Sequence, residues 1–228
     1  MIPRRAVFFW EGEPMPWLRR QSFQTFKDLN PRWTVCVVGS GWMDQGAPGT
    51  EIDIAHRSDV TRYKELSEGG GVYFDTDIVF IKPFPDHLLE ARTILPVDQG
   101  GHIGNVAVLG SEPGSRSFAA IRDVALSKYR LGKFMGYQQL GVQLLNQMRP
   151  TIERDGLVSV SDEFVVPFHW AETEKLWNDQ QAPLPDVTIG VHWFGGDPLS
   201  KDIQGRVGQE FWDSSQCVVA RAIRGELS

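Results

Sequence analysis

The chain has 228 residues, 41% of them hydrophobic and 23% charged, which is enough to bury one good core and too short for two comfortable domains. An aromatic content of 11%, without any low-complexity tract, argues against a disordered chain. The net charge of -6 gives no general attraction to nucleic acids or anionic membranes, although it does not exclude a local basic patch. We therefore predict a single globular domain over residues 1–228.

Membrane and redox signals are weak. No uninterrupted apolar stretch approaches the roughly 18 to 20 residues that span a bilayer, and the apolar run at residues 6–10 is too short for a signal sequence. We therefore expect a cytoplasmic protein. Two cysteines, Cys36 and Cys217, are too few and too far apart for a zinc site or a disulfide framework.

Strand and helix patterns alternate at the start of the chain. Apolar residues 6–10 predict a short buried strand, residues 16–29 a helix, and residues 33–38 a second strand. The Gly-rich residues 39–50 predict a loop, and residues 51–55 a weak strand. The order strand, helix, strand is typical of a parallel α/β sheet.

The next helix carries a charged pair. It is predicted over residues 59–67, with Ser58 as its N-cap and Gly69 ending it. Asp59 and Arg62 lie three residues apart, so they share one face of this helix.

Two aspartates follow a predicted central strand. Gly70-Gly71 leads into residues 72–74, an apolar run that ends on Asp75, at the sheet edge where open α/β sheets bind ligands. Asp75 and Asp77 are two residues apart, so on a regular strand they face the same way. Converging carboxylates repel unless a cation joins them, and oxygen ligands favour Mg²⁺ or Mn²⁺, which keep positions open for diphosphate. The pair therefore predicts a metal-diphosphate site.

Further elements follow this motif. An extended segment is predicted at 78–81, strands at 93–97, 106–109, 157–160 and 187–194, and helices near 115–129 and 138–148. His192 is either a strand-end histidine bonded to the backbone or a third metal or diphosphate contact. Trp193 precedes Gly195-Gly196, so it belongs either to a mobile lid or to the core.

A multi-part motif lies between residues 58 and 77. It comprises Ser58-Asp59-Val60-Thr61-Arg62-Tyr63, then Leu66, then Gly70-Gly71-Val72-Tyr73-Phe74-Asp75-Thr76-Asp77. It resembles the core motif of glycosyltransferase family 32, the DXD-containing sugar transferases. The same motif is similar to the catalytic core of the large clostridial glucosylating toxins. Looser similarity covers most of the remaining chain.

The resemblance implies a GT-A type nucleotide-diphospho-sugar transferase fold, which is a Rossmann-like mixed sheet flanked by helices. It also implies a UDP- or GDP-sugar donor, Mn²⁺ or Mg²⁺ as cofactor, and transfer of a hexose with retention of configuration. The acceptor is expected to be a glycan or another hydroxyl compound, as in polysaccharide biosynthesis. Gly136-Tyr137 departs from the Gly-Pro that is frequent near the family's acceptor site.

The resemblance also implies roles for individual residues. Trp10 is expected to stack on the base, Asp59 and Arg62 to hold the sugar, Asp75 to contact ribose and metal, and Asp77 to bind metal most firmly. The expected catalytic residues are Asp59, Arg62, Asp75 and Asp77. The expected donor-binding residues are Phe9, Trp10, Asp59, Arg62, Tyr73, Asp75, Asn105 and Trp193. The expected metal ligands are Asp75, Asp77 and His192.

Alternative functions fit parts of the sequence. A strand followed by Asp75-Thr76-Asp77 also suits a haloacid-dehalogenase-type phosphatase, although that motif normally opens the domain, and here more than 70 residues precede it. A non-catalytic nucleotide-sugar binding module is a second alternative, but all four catalytic candidates are intact. A nucleic-acid acceptor is disfavoured by the acidic charge and is not excluded.

Overall fold

The computed structural model describes residues 1–12, 14–43, 51–132, 136–154, 156–178 and 183–227, except for the side chains of residues 51–53. The strands are β1 (Arg5–Phe9), β2 (Thr34–Val38), β3 (Gly71–Phe74), β4 (Ile78–Phe80), β5 (Thr93–Val97), β6 (Val108–Ser111), β7 (Leu157–Ser161) and β8 (Gly190–His192). The α-helices are α1 (Trp17–Leu29), α2 (Glu51–Glu68), α3 (Arg116–Arg130), α4 (Val142–Glu153), α5 (Glu174–Trp177), α6 (Pro198–Arg206), α7 (Gln209–Ser214) and α8 (Val218–Ile223). Short 3-10 helices lie at Asp86–Glu90, Asp162–Phe164 and Trp170–Glu172.

The chain divides into two compact units. Unit 1 contains residues 1–13, 32–75 and 85–161, and unit 2 contains residues 14–31, 76–84 and 162–228. The prediction of one domain over the whole chain stays a prediction. In the part of the chain that the structure describes, no helix has the length and apolar character needed to cross a bilayer.

Unit 1 is a mixed sheet with helices packed on it, which confirms the predicted fold class. The strand order is β2-β1-β3-β6-β5-β7. β1 runs parallel to β2 and β3, β6 runs antiparallel to β3 and β5, and β7 runs parallel to β5. Side chains from β1, β3, α2, α3 and α4 form its core, which includes Val7, Tyr73, Tyr63, Phe118 and Leu144. As predicted, β3 is a central strand.

The glycine pair before β3 is required by its conformation. Gly71 has a φ of +110°, and a Cβ there would overlap the backbone oxygen of Arg5 on the neighbouring strand. Gly70 has a φ of +63°, and a Cβ there would lie 2.6 Å from the Pro113 nitrogen. Only glycine meets both conditions, so this pair fixes how the chain enters the strand that leads to Asp75.

The predicted start of α2 is wrong. The helix begins at Glu51, so residues 51–55 are not a strand and Ser58 is not an N-cap. His56, Val60 and Tyr63 are all fully buried at helical spacing. Residues 51–55 alone form a five-residue window that does not distinguish a helix from a strand. The predicted loop 39–50 lies outside the described residues from 44 onward.

The aspartate pair does not lie on a regular strand. β3 ends at Phe74, and residues 75–77 form a turn that leads into β4. The argument from alternating strand faces therefore does not apply to Asp75 and Asp77. The pairing of β3 with β6 ends at Phe74 and Val108.

Unit 2 is built around a two-stranded antiparallel sheet. β4 pairs with β8, and Ile78 lies opposite His192. The core of the unit includes Leu18, Val79, Val191 and Trp193 together with residues of α7 and α8. Its α1 and β8 correspond to the helix predicted at 16–29 and to part of the strand predicted at 187–194.

Candidate active site

The carboxyl edge of the sheet in unit 1 carries two predicted site residues. Trp10 follows β1 and Asp75 follows β3, and the two strands are parallel, so both residues lie at the same edge. The Trp10 backbone N–H donates to the Val38 carbonyl at 3.0 Å, and its half-buried indole donates to the Gly12 carbonyl at 2.6 Å. Phe9 is instead buried in the core, so Trp10 is the more accessible of the two rings.

Arg62 is the centre of a buried polar network in unit 1. Its Nη2 lies 3.3 Å from Asp59 Oδ1 and 3.3 Å from Asp75 Oδ1, while its Nη1 donates to the Val106 carbonyl at 2.6 Å. The guanidinium also lies 4.4 Å from the centroid of the Tyr73 ring. The predicted pair Asp59 and Arg62 therefore does meet Asp75.

The charge of Arg62 is firmly held. Burial alone would lower its pKa, but Tyr73 and the two nearby carboxylates raise it overall, so the guanidinium stays protonated. Its Nε–H is buried and has no hydrogen-bond partner among the described residues. A buried unsatisfied donor costs about 1–3 kcal/mol, and such groups are worth examining as functional atoms.

Asp59 is a buried carboxyl group with an unusual titration. Burial raises its pKa to about 7, against the lowering effect of Arg62 and with a further increase from Asp75. A Cβ on Gly141, at the start of α4, would lie 3.2 Å from its Oδ2. The backbone of Gly141 therefore approaches the carboxylate closely because residue 141 has no side chain.

Tyr73 and Asn105 support the same network from inside unit 1. The Tyr73 hydroxyl is 2.9 Å from Ser58 Oγ and donates to Asp75 Oδ1 at 3.0 Å. Asn105 Oδ1 accepts from the Ala107 N–H at 3.0 Å, and the Ala107 carbonyl accepts from the Asp75 N–H at 2.9 Å. Ser58 is thus a network residue rather than a helix cap, and Asn105 shapes the loop behind Asp75.

Asp77 is held by the segment after β8 in unit 2. His192 Nε2 lies 3.2 Å from Asp77 Oδ1, and the Gly195 N–H donates to Oδ2 at 2.7 Å. The Trp193 N–H donates to the Asp77 carbonyl at 2.9 Å. Burial alone would raise the pKa of Asp77, but His192, Arg19 and the Gly195 N–H together hold that pKa well below its usual range.

The His192 side chain lies beside Asp77, and its backbone N–H donates to the Val165 carbonyl at 2.8 Å. A metal or diphosphate contact of His192 stays a prediction. Trp193 is fully buried in the core of unit 2.

Three polar residues of α1 were missed by the sequence analysis. Arg19 Nη1 donates to Thr76 Oγ1 at 2.6 Å, Ser22 Oγ donates to the Thr76 carbonyl at 2.8 Å, and Thr25 Oγ1 accepts from the Phe80 N–H at 3.1 Å. They lie three residues apart along one helix face. That spacing is visible in the sequence, but its partners are more than 50 residues away.

The chemistry of the acidic motif suits a hard divalent cation. Asp75, Asp77 and His192 each offer a carboxylate oxygen or an imidazole nitrogen as a ligand. Carboxylates are preferred by Mg²⁺ and Mn²⁺, and imidazole is a common additional ligand for transition metals such as Mn²⁺. The donor set therefore fits a cation of this class.

Comparison with known proteins shows what the region of this site is similar to. Residues 26–95 match the family model described as the glycosyltransferase sugar-binding region containing a DXD motif. The match contains Asp59, Arg62, Asp75 and Asp77, the residues of the networks described above. This part of the chain is therefore similar to the DXD-containing glycosyltransferases. No curated protein sequence matches the chain.

Solved structures show the same fold in other glycosyltransferases. One is a glycosyltransferase involved in the glycosylation of the major capsid of PBCV-1, with 10% identity, 90% coverage of this chain, 100% coverage of that chain and a TM-score of 0.55. Another is the glycosyltransferase GlyE of Streptococcus pneumoniae TIGR4, with 14% identity, 98% coverage of this chain, 63% coverage of that chain and a TM-score of 0.54. The chain thus has the predicted GT-A fold.

Proposed function

We propose that this glycosyltransferase moves a hexose from a UDP- or GDP-sugar to a hydroxyl group of a glycan or similar acceptor, in the cytoplasm, with a divalent cation and with retention of configuration. The observation that carries the proposal is the buried network of Asp59, Arg62 and Asp75 at the carboxyl edge of the sheet in unit 1. Sheet edges of this kind bind nucleotides in α/β proteins.

The donor is assigned to this edge by chemistry. Trp10 offers a half-buried aromatic ring for the base, and Asp75 accepts hydrogen bonds as a ribose hydroxyl requires. Asp59 and Arg62 offer an acceptor and a charged donor to the hydroxyl groups of the sugar. The roles of Phe9, Tyr73, Asn105 and Trp193 are indirect in this proposal, since their side chains are buried or bonded within the protein.

We assign the cation to Asp75, Asp77 and His192. Only Thr76 separates the two aspartates in the chain, and His192 already lies beside Asp77. A bound Mn²⁺ or Mg²⁺ would neutralise charge on the diphosphate that leaves the sugar. The Asp77 carboxylate is ionised and can bind a cation, and His192 can join it as a ligand in its neutral form.

Arg62 contributes to the same reaction as a fixed charge. The departing nucleoside diphosphate gains negative charge, and a buried guanidinium that cannot lose its proton stabilises such charge without reorganising. Its contacts with Val106 and Tyr73 hold its orientation before the donor binds. The protein therefore needs no movement of Arg62 during the chemical step.

The phosphatase alternative does not explain the contacts that α2 makes with the acidic motif. Asp59, Arg62 and Ser58 come from α2, a helix that precedes the acidic motif and contacts Asp75 through Arg62 and Tyr73. A phosphatase that uses the first aspartate as nucleophile has no need for these contacts. The transferase assignment uses all of them.

A panel of UDP- and GDP-sugars tests the proposal. Each is titrated into the protein with Mn²⁺, and heat of binding and slow hydrolysis of the donor are followed. We expect one donor to bind only with the cation, and we expect Asp77→Ala to lose both binding and hydrolysis. Asp213→Asn, a change at an exposed aspartate in α7, is the matched control. Hydrolysis of simple phosphate esters without any nucleotide-sugar binding would contradict the proposal.

A further inference from the structure

Arg19, near the start of α1, contacts two separate parts of unit 2. Its Nη1 donates to Thr76 Oγ1 at 2.6 Å. Its Cζ lies 5.2 Å from the centroid of the Trp193 ring, and its Nη2 occupies the space that a Cβ on Gly195 would need. One guanidinium therefore touches the residue before Asp77 and the segment that binds Asp77.

That segment surrounds Asp77 with three contacts. His192 Nε2 lies beside its Oδ1. The Trp193 N–H donates to its backbone oxygen, and the Gly195 N–H donates to its Oδ2. The position of Asp77 therefore depends on the position of residues 192–195. Arg19 fixes that position by filling the space above Gly195 and lying over the Trp193 ring.

The segment is also conformationally strained. Phe194 has a φ of 52°, in the left-handed region that residues other than glycine seldom adopt. A residue in this conformation is strained and persists only where neighbouring contacts determine it. Its ring lies 4.5 Å from that of His192. Strain beside a proposed metal ligand is consistent with a segment that is held in place for function.

We propose that Arg19 is a positioning residue that holds Asp77 and His192 in the arrangement that receives the cation and diphosphate. This inference rests on the proposed function. Arginine suits the task because its planar group can donate from an edge and stack through a face at once, which the ammonium of lysine cannot do. Gly195 leaves the space that the Arg19 guanidinium occupies, and a side chain at residue 195 would displace it.

Binding of Mn²⁺ alone tests the proposal, followed by loss of the free-ion EPR signal. Residues that orient metal ligands typically change metal affinity by about 10- to 100-fold when replaced, and we expect a loss of this size in Arg19→Gln. Arg20→Gln is the control, because the Arg20 side chain is exposed and donates to the Met15 carbonyl at 2.9 Å. Wild-type affinity in Arg19→Gln would overturn the inference.

Chemical rescue separates positioning from general stabilisation. In Arg19→Ala, guanidinium added far below unfolding concentrations should refill the site and restore part of the Mn²⁺ affinity and of the donor hydrolysis. If Arg19→Ala had lost its structure in general, added guanidinium would not restore Mn²⁺ affinity. Failure of rescue would therefore also overturn the inference.

A second variant covers poor folding of the arginine substitutions. In Gly195→Ala the new Cβ would overlap Arg19 Nη2 and would also lie 2.9 Å from the Trp193 ring, so the contact between Arg19 and this segment must shift and Mn²⁺ affinity should fall. Gly196→Ala has open space around its Cβ and should have no effect. Equal affinities in the two glycine variants would count against Arg19. If the wild-type protein neither binds Mn²⁺ nor hydrolyses a nucleotide sugar, both the proposed function and this inference are wrong. If the wild type is active and the variants are unaffected, only the role of Arg19 is wrong.

Discussion

At the residue scale, the site in unit 1 consists of one guanidinium group that lies close to two carboxylates. Arg62 lies 3.3 Å from both Asp59 and Asp75, and the side chains of Arg62 and Asp59 are almost completely buried. A buried ion pair is costly to break because the remaining charge is left without a partner. With a raised pKa, Asp59 can relieve the excess negative charge by binding a proton.

The raised pKa of Asp59 predicts a pH-dependent stability. In the folded chain the pKa is about 7, and in the unfolded chain it is near the ordinary 3.8. Between these values the folded state holds a proton that the unfolded state has lost, so stability falls as pH rises through this window. In metal-free protein, the wild type should lose about 3 kcal/mol relative to Asp59→Asn between pH 5 and pH 8, measured by denaturant unfolding. Parallel curves for the two proteins would contradict the assigned pKa.

At the element scale, the approach of α2 to β3 determines which side chains meet. α2 ends at Glu68, and Gly70-Gly71 turns the chain at once into β3. This sharp turn places Ser58 and Arg62 beside Tyr73 and Asp75, although 13 residues separate Arg62 from Asp75. The glycine pair is therefore a structural requirement of the site.

Gly71→Ala tests this requirement. The new Cβ would overlap the Arg5 backbone oxygen at a φ that disfavours alanine, so we expect a loss of at least about 2–3 kcal/mol in unfolding free energy. Gly205→Ala is the same substitution in α6, with open space around its Cβ, and should stabilise the protein by up to about 1 kcal/mol. Chemical denaturation of both variants measures the difference, and equal effects would show that the turn tolerates a side chain.

At the scale of the whole molecule, the proposed cation should stabilise the folded chain. A ligand that binds only the folded state at about 100 times its dissociation constant adds about 2.7 kcal/mol. For a chain of this size we expect Mn²⁺ to raise Tm by several degrees and EDTA to reverse the rise. Asp77→Asn should abolish the Mn²⁺-dependent shift and Asp213→Asn should keep it. A shift that survives in Asp77→Asn would place the ion elsewhere.

The sequence by itself determined the fold class and proposed the residues of the site. Alternating strand and helix patterns predicted a parallel α/β sheet, and the resemblance to the DXD-containing sugar transferases implied the mixed sheet that is found. The same resemblance implied the roles of Asp59, Arg62, Asp75 and Asp77, which stay predictions. These features are local, since helix and strand periods and glycine turns act over a few residues.

Only the tertiary structure decided which side chains meet across the chain. The start of α2 at Glu51 was not predicted, because the five residues 51–55 are ambiguous between strand and helix. The contact of Asp77 with His192 joins residues 115 positions apart, and that of Arg19 with Thr76 joins residues 57 apart. Such contacts follow from how elements pack, and hydrophobic periodicity carries no information about partners at that distance.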